Sequence, residues 1–338
     1  MPIDQIVLVQ ISDPHCAAEI LNSTFSWVPG QSGHDVLLMD ALALAMDDVW
    51  TRFELRSRDD LYLVMSGDLS RFGLPEEFAT GVALFHGFLP SPGTHPSMGI
   101  GTGLNMQRLL LIPGNHDHWG GKPKLLVNYG AHNPRIYGSL STPRAPFEPL
   151  PWRFRMTSTM QGFRLHLYGL DSNSGLEGKT HNVRAGGCIN PAEIARLHRM
   201  ILDEQPSNQR VLRALTLHHP VTRDWHEPLL GPLDRPSWKL LHPLIAKHGI
   251  TALLTGHTHR TCHERYGPGR EMRRFACWEH RAPTVLQGPA ALGKQGFLVH
   301  RLTNEKGSPY ISWRTEEYTW DGTRFMLVTG LREISESY

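Results

Sequence analysis

The sequence predicts an α/β fold, and three observations predict it. Short runs, apolar at nearly every position, recur along the chain between turn or polar residues. Amphipathic stretches of helical length separate them. Clusters of Asp, His, Asn and Gly follow the apolar runs directly. Runs apolar on both faces are the mark of strands buried on both sides, and their alternation with helices marks a largely parallel sheet.

Taken in order, strands are expected at 6–11, 61–65, 109–112, 165–170, 211–217 and 251–255. A helix over 36–53 places Leu37, Leu38, Ala41, Leu42, Ala45, Val49 and Phe53 near one face. A second, over 75–89, opens with Pro75 followed by Glu76 and Glu77, as helix N-termini prefer. A third, over 191–204, opens with Pro191 and Glu193 and carries Ile194, Leu197 and Ile201 on one stripe. A fourth, over 237–248, stops at Gly249. The C-terminal part, 284–330, is β-rich, with strands expected at 284–287, 297–302, 310–318 and 325–328 that would complete a second sheet.

The 338 residues, 40% hydrophobic, suffice for one large domain over 1–338, with loop insertions at about 90–107, 120–151 and 220–236. Those insertions are rich in Gly, Pro, Ser or Asn, as binding loops and lids often are. Lys plus Arg number 34 against 32 Asp plus Glu, a net charge of +2, so the basic footprint of a nucleic-acid binder is missing. No run approaches the ~18–20 apolar residues that cross a bilayer, and residues 1–10 lack the basic start of a signal peptide. No membrane partner is expected, and the cytoplasm is the expected compartment. The cysteines (Cys16, Cys188, Cys262, Cys277) form no CxxC pair, which argues against a disulfide framework or a thiolate zinc site.

Five polar clusters carry the chemistry. Asp13-Pro14-His15, Gly67-Asp68, Gly114-Asn115-His116-Asp117, His218-His219-Pro220 and Gly256-His257-Thr258-His259 each follow an expected strand. In α/β folds, ligand groups collect at the carboxyl ends of strands. Carboxylate, imidazole and amide oxygen together suit manganese, iron, zinc or cobalt rather than a thiolate-preferring metal. On extended backbone, residues two apart point the same way, so Asp13 with His15, and His257 with His259, are expected to face one cavity. Any one of these motifs alone is weak evidence, since Gly, Asn and Asp also favour ordinary turns.

In this order the five blocks resemble the calcineurin-like metallophosphoesterase superfamily from Asp13 to His259. The resemblance implies an α/β/β/α sandwich of four layers, two mixed sheets flanked by helices, with a dimetal centre at the strand ends. It implies that Asp13, His15 and His259 hold one metal, that Asn115, His218 and His257 hold the other, and that Asp68 bridges both. His218 is preferred over His219 because the family pattern is H-x-P. His116 is implied to lie beside the leaving group as the catalytic acid rather than to ligate. The implied reaction is hydrolysis of a phosphate ester by in-line attack of a hydroxide bridging two divalent or trivalent ions of manganese, iron, zinc or cobalt.

One departure stands out. Many relatives carry an acidic residue three positions after the bridging Asp, where this chain has Arg71. An Asp partner for His116 is therefore missing at that position, and Arg71 is expected to contact substrate phosphate, as a guanidinium can do bidentately. His118 is a second candidate contact. The segment Tyr168–Ser172 (YGLDS), with a structural rather than ligating Asp171, and the HHP block resemble the cyclic-nucleotide-phosphodiesterase-like (class III) branch. A small phosphodiester is the expected substrate. A phosphomonoesterase or nucleotide pyrophosphatase of the same fold is the alternative, ahead of a non-catalytic scaffold, because every ligand and the acid are present. Some relatives in that branch are dimers, so a homo-oligomer is compatible with the resemblance.

Overall fold

The computed structural model describes residues 3–17, 34–56, 60–86, 108–118, 150–176, 186–204, 209–222, 230–266, 277–288, 294–304, 308, 310–328 and 336–337. The expected insertion at 90–107, nearly all of that at 120–151, and 223–229 of the third lie outside these residues.

In chain order the strands are β1 (Asp4–Ile11), β2 (Leu61–Met65), β3 (Leu109–Leu111), β4 (Trp152–Thr157), β5 (Phe163–Gly169), β6 (Arg210–Thr216), β7 (Ile250–Thr255), β8 (Cys262–Tyr266), β9 (Cys277–Arg281), β10 (Gly296–Asn304), β11 (Ser312–Trp320), β12 (Phe325–Leu327) and β13 (Glu336–Ser337). The helices are α1 (Val36–Arg52), α2 (Pro75–His86), α3 (Pro191–Leu202) and α4 (Arg235–His248).

Two mixed sheets result. One has the order β12-β11-β10-β1-β2-β3, with β13 on β11; the other runs β4-β5-β6-β7-β9-β8. Strands β1, β2 and β3 are mutually parallel, as are β5, β6, β7 and β9. The C-terminal strands do not complete a second sheet. β10 pairs antiparallel with β1, from Asp4↔Asn304 to Gln10↔Leu298, and so extends the first sheet. Residues 284–287 form isolated bridges, Ser12↔Thr284 and His34↔Gln287, rather than a strand. The second sheet instead recruits β4, β8 and β9, whose polar sequences (WRFRMT, CHERY, CWEHR) hide them from an apolar-run criterion.

Three buried clusters define four layers. Odd-numbered β1 residues Val7, Val9 and Ile11 pack against Leu38, Leu42, Ala45, Met46 and Val49 of α1. Leu37, expected on that face, is 72% exposed, because the buried stripe begins one residue later. Even-numbered Ile6 and Leu8 pack between the sheets with Val64, Leu165, Leu167, Ala214 and Leu254. The far face of the second sheet buries Tyr168, Leu215 and Leu253 under Ile194, Leu197 and Ile201 of α3 and Leu241, Leu244 and Ile245 of α4. Each such aliphatic side chain contributes about 1.5–3 kcal/mol on burial.

The helices are fixed at their ends. Asp35, Asn190 and Asp234 accept hydrogen bonds from the first turns of α1, α3 and α4, and Gly249 closes α4 with φ 61°. No helix among the described residues is long and apolar enough to cross a membrane. Towards the carboxyl ends of the parallel strands the inter-sheet layer turns polar: Gln10, Ser66, Thr255, His280 and His300 are all buried there.

Candidate metal centre

The loops that leave the strands are tightly bent. Seven non-glycine residues among those described have positive φ, and five of these are Asp13 (50°), His15 (48°), Asp68 (55°), His257 (72°) and His259 (58°). Left-handed backbone at such residues costs about 1–3 kcal/mol each and persists only where the surroundings hold it. The expected extended backbone at Asp13-x-His15 and His257-x-His259 is thereby corrected. The pairs converge through left-handed turns, because the chain must bend off the sheet while still bonding to its neighbour. Those bonds run from Asp13 N to Gly67 O (3.1 Å), His15 N to Asp68 O (3.1 Å) and Cys16 N to Leu69 O (2.8 Å). Asp13 Oδ2 accepts from His257 N at 3.0 Å, which ties the loop after β1 to the loop after β7 in the other sheet.

Asp13, His15 and His259 form one group. His259 Nε2 lies 3.2 Å from Asp13 Oδ1 and 3.4 Å from His15 Nε2. Asp13 Oδ1 is buried without a hydrogen-bond donor. Asp68, Asn115, His218 and His257 form a second. His218 Nδ1 sits 2.8 Å from Ser66 O and must donate there, so in the neutral ring Nε2 carries the lone pair. That lone pair meets two further acceptors, Asp68 Oδ2 at 3.2 Å and Asn115 Oδ1 at 3.1 Å, with His257 Nδ1 also 3.2 Å away. Acceptors facing acceptors repel unless a cation lies among them. A proton is one such cation. Burial opposes it, yet the Asp68 carboxylate still pushes the His218 imidazole up to about 9. Burial likewise opposes ionisation of Asp68 and Asp13, and the neighbouring imidazoles hold both carboxyls well below the usual carboxylate range.

A metal ion is the other cation that fits. With metal–ligand bonds of ~2.1 Å, neighbouring ligand atoms in octahedral or tetrahedral geometry are about 3.0–3.4 Å apart. The separations above fall in that range, and the mixed nitrogen and oxygen set suits the divalent metals expected from the sequence. Three overlapping sets place their ligand atoms within 4.8 Å of one another: Asp13 with His15 and His259, His15 with Asp68 and His116, and Asp68 with His218 and His257. Asp68 is shared by the last two. Gly67 permits this approach: it has φ +99°, and a Cβ there would lie 2.5 Å from His218 Nδ1.

His116 lies in a one-turn 3₁₀ helix, His116–His118. Its main-chain N–H donates to Asp68 Oδ1 at 2.8 Å. Its Nδ1 is 2.7 Å from the main-chain carbonyl of Arg71, so Nδ1 carries the proton. Its Nε2 is 3.9 Å from Asp68 Oδ2. Position 71 thus orients His116 after all, through the main chain rather than a carboxylate. Burial pulls the His116 imidazole down to about 3. Asp117 does not orient His116; its carboxylate accepts from Leu69 N, Ser70 N, Ser70 Oγ and Gly114 N, and so locks the loop after β2 to the loop after β3.

The Arg71 side chain is buried, with Nε and Nη2 lacking hydrogen-bond partners. His118 Nε2 lies 3.3 Å from Asp171 Oδ2. Burial works against its charge, and Asp171 nonetheless raises its pKa. His219 turns away from Asp68, with Nδ1 2.7 Å from Ser172 Oγ. Contacts from Ser172 and Asp171 thus join the YGLDS segment to the HHP and GNHD loops. The residues missed from sequence are supports: Ser66, Asp117, Ser172 and Gln10. Gln10 alone left a signal, as a polar residue in an otherwise apolar strand.

A family model described as calcineurin-like phosphoesterase matches residues 6–261, the span that carries every group described above. No curated protein matches the chain. Among solved structures the chain is similar to GAP50, the anchor in the inner membrane complex of Plasmodium, at 11% identity over 99% of this chain and 88% of that one, with TM-score 0.49. It is also similar to the calcineurin-like phosphoesterase YfkN from Bacillus subtilis, at 11% identity over 97% and 89%, with TM-score 0.42. With its two mixed sheets between helices and Asp and His groups at the strand ends, the chain belongs to the calcineurin-like phosphoesterase family.

Proposed function

We propose that the chain hydrolyses a small phosphodiester, such as a cyclic nucleotide, as one cytoplasmic domain holding two metal ions. Asp13, His15 and His259 hold the first ion, Asn115, His218 and His257 the second, and Asp68 both. The observation that carries this is the His218 Nε2 lone pair facing the Asp68 carboxylate and the Asn115 amide oxygen, an arrangement that calls for a cation. Bound there, such ions supply Lewis acidity, acidifying water and neutralising charge on phosphoryl oxygens.

The chain's own groups do the rest. His116 keeps its Nδ1 proton on the Arg71 carbonyl and, when protonated at Nε2, donates to the departing oxygen, a step worth about 10²–10⁴-fold. An anionic phosphate beside it opposes the effect of burial on its pKa. The Arg71 guanidinium, unpartnered at the Nε/Nη2 edge, is proposed to bind a phosphoryl oxygen. His118, which contacts Asp171 Oδ2 at 3.3 Å, is proposed as a second substrate contact. The diester preference rests on the likeness of the HHP and YGLDS blocks to the cyclic-nucleotide branch.

The test is hydrolysis of bis-p-nitrophenyl phosphate and p-nitrophenyl phosphate, side by side, by metal-stripped protein given back Mn²⁺. Metal-dependent cleavage favouring the diester is expected. Preference for the monoester would transfer the proposal to the phosphomonoesterase reading. Failure to bind metal would sink both.

A further inference from the structure

The supports beneath the site are unevenly shared between the two ligand groups. Gln10 follows Ile6 and Leu8 on the inner row of β1, and is itself fully buried. Its Nε2 donates to Ser66 Oγ (3.0 Å) and Thr255 O (2.8 Å), and reaches His280 O at 3.3 Å. Ser66 follows β2 in the first sheet; Thr255 ends β7 in the second. One side-chain amide therefore ties together the ends of two strands in different sheets.

The amide cannot flip without loss. Its Oε1 lies 2.9 Å from His300 Nε2, and His300 Nδ1 lies 2.9 Å from Thr315 Oγ1 and 3.3 Å from Trp313 Nε1. The indole N–H can only donate, so His300 Nδ1 is an acceptor and Nε2–H the donor to Gln10. Each partner leaves Gln10 Oε1 as the acceptor and Nε2 as the donor.

The tie leads to one ligand group. Ser66 gives its carbonyl to His218 Nδ1 and stands two residues before Asp68. Thr255 stands two residues before His257. Asp68, His218 and His257 form one of the three groups close enough to share an ion, whereas Asp13, His15 and His259 form another.

We propose that Gln10 is the positioning residue for the Asp68–His218–His257 subsite, holding its three ligands in register across the two sheets. The inference rests on the proposed metal centre. Outer-shell partners of metal ligands typically change affinity by about 10–100-fold when mutated.

The test is calorimetric titration of metal-stripped protein with Mn²⁺, for wild type, Gln10→Leu, the milder Ser66→Ala, which removes only the hydroxyl link, and Leu165→Ala. The last is a control that weakens the apolar inter-sheet core. Wild type is expected to bind two ions. Gln10→Leu is expected to weaken one event about 10–100-fold while keeping the other, with Ser66→Ala shifting the same event less. Leu165→Ala is expected to lose thermal stability with both events intact. If Gln10→Leu and Leu165→Ala lose stability alike and both keep two wild-type affinities, Gln10 is only a core residue. If Gln10→Leu fails to fold, wild-type binding by Ser66→Ala overturns the proposal. Absence of binding by the wild type would instead overturn the metal centre itself.

Discussion

Two clusters of buried or half-buried histidines lie close together in this molecule and differ in what surrounds them. The first comprises His15, His116, His218, His257 and His259, with Asp13 and Asp68 among them. The second comprises His263, His280 and His300 between the sheets. There His263 and His280 share one Nδ1···Nδ1 contact of 3.0 Å, the His280 ring stacks at 12° on Trp313, and His300 bonds to Gln10 and Thr315. Its partners are amide, hydroxyl, indole and other imidazole groups. Burial therefore wins, and it pulls His300 down to about 3, His263 to about 4 and His280 well below its ordinary value. In the first cluster burial also lowers His116, to about 3, and His257, but the carboxylates lift His218 to about 9 against it. Buried histidine alone does not make a metal centre. Carboxylates set among the rings, on backbone bent to bring acceptors face to face, are what single out the first cluster as the candidate.

The largest effect should follow from removing the shared carboxylate. Asp68→Asn leaves the loops their size but takes a negative charge from both ligand groups. Loss of several kcal/mol of charge stabilisation corresponds to about 10³-fold or more in kcat/KM. Mn²⁺ stoichiometry, measured by elemental analysis after desalting, should fall with it. His263→Gln should keep the wild-type metal-to-protein ratio. If both substitutions lowered metal content alike, the two clusters would not differ in kind.

His116→Ala separates ligand from acid within the first cluster. His116 has ligand atoms within reach of His15 and Asp68, yet its Nδ1 is committed to the Arg71 carbonyl. As an acid it should cost about 10²–10⁴-fold in kcat with unchanged metal content. Lost metal would make it a ligand. The Arg71 side chain should act differently again. Arg71→Met keeps the main-chain carbonyl that orients His116, so kcat should hold. KM for bis-p-nitrophenyl phosphate should rise about tenfold or more, as the loss of a charged hydrogen bond of ~1.5–3 kcal/mol implies. An unchanged KM would remove Arg71 from the substrate site.

The same comparison explains what was legible beforehand. The candidate ligands were legible because their signal is chemical and local: Asp13, His15, Asp68, Asn115, His218, His257 and His259 stand in short motifs at strand ends, and the structure brings them together. Their backbone was not legible, because left-handed turns at Asp13 and His257 are imposed by bonds to loops far away in sequence. The strands with continuous apolar runs were legible from burial on both faces. β8 and β9 were not, since their charged and imidazole side chains are satisfied by one another and by the loop after β6: Glu279 accepts from Val221 N and Thr222 N. The second histidine cluster was invisible for a related reason. His263 and His280 face each other across β8 and β9, and His300 joins them only once the sheets are stacked.

The smallest effect tests that second cluster through pH. His300 has its folded pKa pulled to about 3 by burial, from an ordinary value of 6.5. Between these values the unfolded chain takes up a proton that the folded chain refuses. Stability from a buried neutral imidazole is therefore complete above about pH 6.5 and falls as the pH drops, by up to ~1.4 kcal/mol per unit. His263 and His280 act in the same direction. His218, with its raised pKa, acts in the opposite direction and at higher pH. Comparing metal-stripped wild type with His300→Gln cancels the groups away from His300, while His280, which His300 also lowers, shifts the gap in the same direction. The introduced amide does not titrate, so whatever stability the variant loses at pH 7, the gap should narrow by roughly 1.6 kcal/mol between pH 6.5 and pH 5. Urea titrations across that range measure it. A gap constant with pH would mean that His300 accepts a proton in the folded state as readily as in the unfolded one. The contrast between the two clusters would then fail at its neutral end.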